Sequence, residues 1–262
     1  YGISADLISD CSGAGLIRVA SLKDVEKLDY NNLETSELSE KLLVRYIAQG
    51  TLWKLGDMFQ LSIELYDTKD KKVVWSDRWE EEWDNLPSIK RNLSDGLLKT
   101  LDIKTIIDRE FITTNTEAYE YYLKGRHTFQ KRRTKTDIEI AKGLLQNAIK
   151  LDKNLIRAEI ELGWVYARTG YQDKANKIYN KALLQAEELE DKNSVARLLK
   201  NIGNEYLGGD DGKAMDYYSN ALNLFKLLDN KEGISQTQNN IGMIYNNKGD
   251  YDKAMEYFQK NY

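Results

Sequence analysis

Residues 161–183 read "ELGWVYARTGYQDKANKIYNKAL", residues 201–222 read "NIGNEYLGGDDGKAMDYYSNAL", and residues 240–261 read "NIGMIYNNKGDYDKAMEYFQKN". Laid under one another, they share Gly163, Gly203 and Gly242, at spacings of 40 and 39 residues. A period of that size signals an array of helical hairpins. In each copy a tyrosine (Tyr166, Tyr206, Tyr245) follows the glycine three positions later, on the same helical face. A turn rich in glycine comes next, around Gly170, Gly208-Gly209 or Gly249. Ala175, Ala214 and Ala254 then open a second helix, with Tyr179, Tyr218 and Phe258 four residues on. Small residues let two helices approach, and the aromatics are expected to fill the gap between pairs. The second copy has one residue fewer between Tyr206 and Ala214, which predicts a tighter or differently shaped turn.

A looser copy precedes these three. Residues 118–149, "AYEYYLKGRHTFQKRRTKTDIEIAKGLLQNAI", place Leu123 and Gly125 in a first helix and Ala141, Leu145 and Ala148 in a second. Four extra residues separate this glycine from its alanine, and they are expected to form an enlarged turn; a capping helix pair is the alternative. The array is assigned to residues 116–262, about three to four repeats. Its last helix is expected to be cut short at the C-terminus.

The first 112 residues have a different period. Residues 46–53, 58–67 and 72–79 read as three strands. The middle one alternates Phe59, Leu61, Ile63 and Leu65 with Gln60, Ser62 and Glu64. The short connections at Gly56-Asp57 and Thr68-Lys69-Asp70 predict an antiparallel meander. "GLIRVAS" (15–21) is also strand-like, Ser21 and Asp24 have capping-box spacing for a short helix, and residues 34–45 are predicted helical with Leu38 and Leu42 on one face. Pro87 then opens a helix with Ile89, Leu93, Leu97 and Leu101 as its apolar stripe. The fold class is therefore a small α/β (or α+β) mixed-sheet domain followed by an all-α repeat array.

Composition narrows the function. The chain has 262 residues, 41% of them hydrophobic and 31% charged, as in a folded globular protein. No run approaches the roughly 18 apolar residues that span a bilayer. One cysteine, Cys11, and one histidine, His127, exclude a disulfide framework and a His-rich metal site. The cysteine usage is compatible with the cytoplasm. The formal charge of -4 divides into about -7 over residues 1–117 and +3 over residues 118–262. So small a positive balance gives no reason to expect a nucleic-acid partner. "GAG" (13–15) lacks the spacing and context of a phosphate loop, and no kinase or Ser-His-Asp motif is present. No cofactor is expected.

The Leu162-Gly163, Tyr166, Gly170, Ala175, Tyr179, Ala182 pattern and its two later copies resemble the tetratricopeptide repeat. The front half, through Arg45-Tyr46, Gly50, Gly56-Asp57, Leu65 with Asp67, and Trp75, resembles the TolB-like (FlgO-like) amino-terminal domain found ahead of such repeats. This sequence departs from that family in lacking a strand ahead of Gly2 and in carrying Leu43 where glycine is usual. The combined resemblance implies the regulatory portion of a bacterial class III adenylate or guanylate cyclase or a related signalling protein, with no catalytic segment in these residues. It also implies a concave surface lined by the first helix of each repeat. Carried over position by position, that surface holds Arg157, Ile160, Trp164, Arg168, Arg197, Lys200, Asn204, Gln236, Asn239, Asn240 and Met243. Lys200, Asn204 and Asn240 partly resemble a clamp for a peptide C-terminus.

Two further readings concern charge. The acidic run Glu80, Glu81, Glu82 and Asp84 beside Trp75, Trp79 and Trp83 is expected to be a strand-to-helix junction. It could meet the basic segment 124–135, with Lys131, Arg132 and Arg133, in an interdomain contact. Glu80 and Glu82 would share a strand face about 7 Å apart, the geometry a carboxylate-dependent hydrolase needs. The leading expectation is a non-enzymatic regulatory and interaction module with a protein or peptide partner; the cyclase regulatory portion and the hydrolase are the alternatives.

Overall fold

The computed structural model describes residues 7–8, 11, 19–28, 30, 32–101, 113 and 115–259. They fall into two compact units, Tyr1–Thr105 and Ile106–Tyr262. The first contains a three-stranded antiparallel sheet and the second an array of eight helices.

In the first unit, short helices α1 (Leu22–Glu26) and α2 (Thr35–Leu42) precede strands β1 (Tyr46–Leu55), β2 (Met58–Asp67) and β3 (Lys72–Glu82). A 3-10 turn (Trp83–Asn85) leads into α3 (Leu86–Thr100). The Ser21 side chain accepts from the Asp24 amide and so caps α1. Of the strand-like segment 15–21, residues 15–18 lie outside the described residues, and 19–21 are not in a strand. The phosphate-loop-like residues 13–15 also lie outside the described residues.

The sheet is a meander in the order β1-β2-β3. Alternation puts Phe59, Leu61, Ile63 and Leu65 on the buried face of β2, where they pack with Leu86, Ile89, Leu93, Leu97 and Cys11. Helix α3 reaches β3 closely because position 96 is glycine: a β-carbon there would sit 2.6 Å from the Trp75 indole. Trp79 lies 6.4 Å from Trp75, and Trp83 meets Phe59 edge-on at 5.4 Å. The three tryptophans thus run along β3 and its exit, packed against the core, and β3 passes through the 3-10 turn into α3 as the junction reading expects.

One further residue continues the buried face of β2. Asp67 is 2% exposed and takes a forked ion pair from Arg45, with Nε–Oδ1 at 3.0 Å and Nη2–Oδ2 at 2.6 Å. It also accepts from the amides of Lys69 and Asp70, fixing the β2–β3 turn. Leu43, at the position where the TolB-like resemblance has glycine, adopts the left-handed conformation that glycine favours, with φ 54°.

The second unit is four helical hairpins: α4 (Thr116–Lys131) with α5 (Lys135–Leu151), α6 (Ile156–Arg168) with α7 (Gln172–Glu188), α8 (Lys192–Tyr206) with α9 (Asp211–Leu227), and α10 (Lys231–Asn247) with α11 (Tyr251–Gln259). N-caps set the starts: Asn115, Thr134, Asp191, Asp210 and Asn230 each accept from a first-turn amide. Inside each pair the first helix offers a glycine to a large side chain of the second. An added β-carbon would lie 2.8 Å from Leu145 at Gly125, 2.3 Å from Tyr179 at Gly163, 2.7 Å from Tyr218 at Gly203 and 2.6 Å from Phe258 at Gly242. The aromatic therefore packs within its own pair as well as between pairs. The Tyr179 cluster extends to Leu198 and Ile202 of the next hairpin.

One length expectation is corrected, and of the two alternatives for the other, one holds. The four extra residues of the first hairpin do not enlarge its turn, which is residues 132–134. Helix α4 runs six residues past Gly125, against five past Gly163 in α6, and α5 starts six residues before Ala141, against three before Ala175 in α7. In the third hairpin the missing residue comes from the helix, because α8 stops three residues after Gly203. The connection 207–210 is longer than its neighbours 169–171 and 248–250, so it is differently shaped and not tighter.

Candidate functional site: the face of the first helices

Successive first helices touch directly, α4 with α6, α6 with α8 and α8 with α10, and among the described residues no pair of second helices is in comparable contact. Their side chains mesh in a repeated step. Two links join the residue just after the glycine of one first helix to the residue two before the glycine of the next: Arg126 Nε lies 3.8 Å from Glu161 Oε1, and Asn240 Nδ2 donates to Asn204 Oδ1 at 2.8 Å. One turn earlier on the same two helices, Lys200 Nζ donates to Gln236 Oε1. The Gln236 amide then donates to Glu232 Oε1 at 2.9 Å.

Of the residues carried over from the family, Lys200, Asn204, Gln236 and Asn240 take part in these links. Trp164 is half-buried and takes the edge of Phe129 at 5.0 Å, while Arg168, Asn204, Gln236, Asn239 and Met243 are exposed. Arg157, Arg197, Lys200 and Asn240 are half-buried. Ile160 is a correction: it is 3% exposed, packed with Tyr179, Ala182 and Leu198, and has no surface to offer. The helical period carries this position inward in α6, because the neighbouring second helix supplies small alanines there.

Electrostatics separate Lys200 from an ordinary surface lysine. Burial pushes its ammonium down to about 8, and Arg197 adds to the effect while Glu232 and Glu161 oppose it. Burial likewise raises the Glu205 carboxyl one turn beyond. Tyr218, fully buried, donates its hydroxyl to Asn204 Oδ1 at 2.7 Å, so the core reaches into the face. Sequence reading missed the parts played by Arg126, Glu161, Glu232 and the Tyr218 hydroxyl. Arg126 could have been found, because it follows Gly125 as Asn204 follows Gly203.

Residues 166–262 match the sequence model of the soluble NSF attachment protein (SNAP) family. The SNAP-matching segment begins near the end of α6 and includes the Asn204–Asn240 and Lys200–Gln236 links. No curated protein matches the chain. Among solved structures, BtubC (BKLC) from P. vanneervenii is 17% identical over 68% of this chain and 75% of its own, with a TM-score of 0.47. Two structures of MamA are 22% and 20% identical, cover 50% and 55% of this chain and 90% of their own, and have TM-scores of 0.25. The region is a helical repeat array of the SNAP and tetratricopeptide-like kind.

The two charged patches named from sequence lie in different units. Glu80 and Glu82 are exposed near the end of β3, and Glu81 accepts from Asn85 Nδ2 at 3.0 Å. Asp84 belongs to the 3-10 turn, with its side chain outside the described atoms. Lys131 and Arg133 are exposed, and Arg132 folds over the Phe129 ring at 3.9 Å. His127 is half-buried on α4. No helix among the described residues is long and apolar enough to cross a membrane.

Proposed function

We propose that the chain is a non-enzymatic interaction scaffold whose first-helix face binds a peptide or a protein segment. The observation that carries this reading is the linkage of Lys200, Asn204, Gln236 and Asn240 across two successive first helices, with Trp164 half-buried on the first helix before them and Met243 exposed one turn beyond Asn240. Stacked repeats of this kind use such faces for extended ligands. The SNAP family is named for attachment to another protein, which supports a binding role. Panning a displayed peptide library on the intact chain tests the reading. Binders are expected to be lost on a Trp164→Ala/Lys200→Glu variant and kept on Leu184→Glu, a charge placed on the exposed side of α7. Equal recovery on all three proteins would sink the assignment.

The front unit is read as a TolB-like sensor domain. Its support is that five of the matching residues have a structural reason: Arg45 pairs with Asp67, a β-carbon at Gly50 would meet the Ser62 carbonyl at 2.4 Å, Gly56 turns at φ 61°, and Trp75 receives α3. The regulatory setting of a nucleotide cyclase follows from that resemblance alone. Reading the parent gene for a cyclase catalytic domain tests it.

A further inference from the structure

The last three hairpins share a small device at the connection between their two helices. The lysine just before the alanine of the second helix lies over the ring of the tyrosine that follows the glycine of the first. Lys174 is 5.5 Å from the Tyr166 ring, Lys213 5.3 Å from Tyr206 and Lys253 5.3 Å from Tyr245. In two of the three an aspartate three residues earlier closes on the ammonium: Asp210 Oδ2 lies 3.4 Å from Lys213 Nζ, and Asp250 Oδ2 lies 2.9 Å from Lys253 Nζ. The residue three before Lys174 is Tyr171, which brings no carboxylate. Lys174 makes no ion pair with a described residue.

Tyr171 changes the surroundings as well. Its ring meets Tyr166 edge-on at 6.1 Å. Lys142, brought from α5 of the preceding hairpin and 6% exposed, lies 4.9 Å from the Tyr171 ring and 5.1 Å from that of Tyr166. Lys174 flanks the same two rings, at 5.2 Å from Tyr171. Glu139 neutralises Lys142 at 2.8 Å, whereas nothing comparable reaches Lys174 from the described residues. Residues 170–174 line an open cavity of about 370 Å³ at this point. A ring face satisfies an ammonium on one side only, so Lys174 keeps donors to offer.

We propose that this cavity takes a carboxylate from another polypeptide, an aspartate or glutamate side chain of an acidic segment. It pairs with Lys174 as Asp210 and Asp250 pair with their own lysines. A phosphate group fits worse, because Asp173 also lines the cavity and repels a dianion more than a monoanion. The site is separate from the Lys200 and Asn204 links and does not depend on a peptide binding there.

A labelled hexaglutamate peptide with blocked ends, titrated against the intact chain by fluorescence anisotropy at low salt, probes the site. Tyr171→Asp restores the aspartate of the other hairpins and is expected to weaken binding about tenfold, the worth of one charge-assisted hydrogen bond. Lys174→Gln, at an exposed position, should weaken it as much, and melting curves on both variants should show an intact fold. Lys177→Gln makes the same charge change at an exposed site on α7 and should leave binding within about twofold. Equal weakening by all three variants, or no binding by the parent chain, would overturn the site. Displacement of the peptide by inorganic phosphate far more readily than by acetate at matched ionic strength would overturn the carboxylate assignment in favour of a phosphate.

Discussion

Gly163 lies against the ring of Tyr179 so closely that a β-carbon on the glycine would fall 2.3 Å from Cε1. The ring is 1% exposed and held by Ile156, Ile160 and Leu198, so it has little room to yield. Gly163→Ala is therefore expected to destabilise the array by about 1–3 kcal/mol, the usual size of overpacking a core. Gly143→Ala, on α5 with nothing within 4 Å of the added carbon, is expected to stabilise by about 0.5–1 kcal/mol through helix propensity. Urea unfolding of the two variants gives both signs.

Leu43, Glu190 and Asp229 adopt φ of 54°, 54° and 47°, at helix ends where glycine would be unstrained. Leu43 is 77% exposed, so its side chain contributes little by burial. Leu43→Gly and Glu190→Gly are each expected to raise stability by about 1 kcal/mol. A Leu43→Ala control keeps the left-handed penalty and should gain nothing.

The Arg45 guanidinium beside Asp67, with the amides of Asp70 and Lys69, holds the Asp67 carboxyl down to about 2, against partial desolvation. The folded state thus binds the proton more weakly than the unfolded chain, whose aspartate titrates near 3.9. The stabilisation is complete above about pH 4 and is lost as pH falls toward 2. Asp67→Asn should lower the melting temperature at neutral pH and flatten its fall over that acid window, monitored through the sheet tryptophans.

Lys200 has the opposite linkage. Its folded-state value of about 8 lies below that of an unfolded lysine near 10.4, so at neutral pH folding carries the cost of a partly buried ammonium. The unfolded state binds more protons between about pH 8 and 10, and stability contributed by this group rises through that interval. Lys200→Met should be more stable than the parent at pH 7, with the alkaline rise removed. A parent and variant with parallel stability profiles across that range would contradict the assignment.

Much of this architecture was legible because its signals are periodic. The 39–40-residue spacing and the alternation of Phe59 to Leu65 each report a face that must be buried, and burial repeats with the geometry of the element. Side-chain partnerships are a different matter. Arg45 and Asp67 are 22 residues apart, and Asn204 and Asn240 are 36 apart, distances over which no local rule sets a contact. Ile160 was misplaced for the same reason: position on a helix predicts a direction, but the size of the neighbours across from it decides whether that direction is open. The extra length of the first hairpin was visible as a count, yet its division between helix and turn depended on where Thr134 and Asp137 closed their capping box.

That division has a wider consequence. The four residues added between Gly125 and Ala141 amount to about one helical turn, distributed over the facing ends of α4 and α5, so Leu145 still arrives opposite Gly125. The third hairpin does the reverse: one residue shorter between Gly203 and Ala214, it takes a four-residue connection and still seats Tyr218 on Gly203. The knob and its glycine notch hold each pair together, and the tips of the arms beyond them are where length can change.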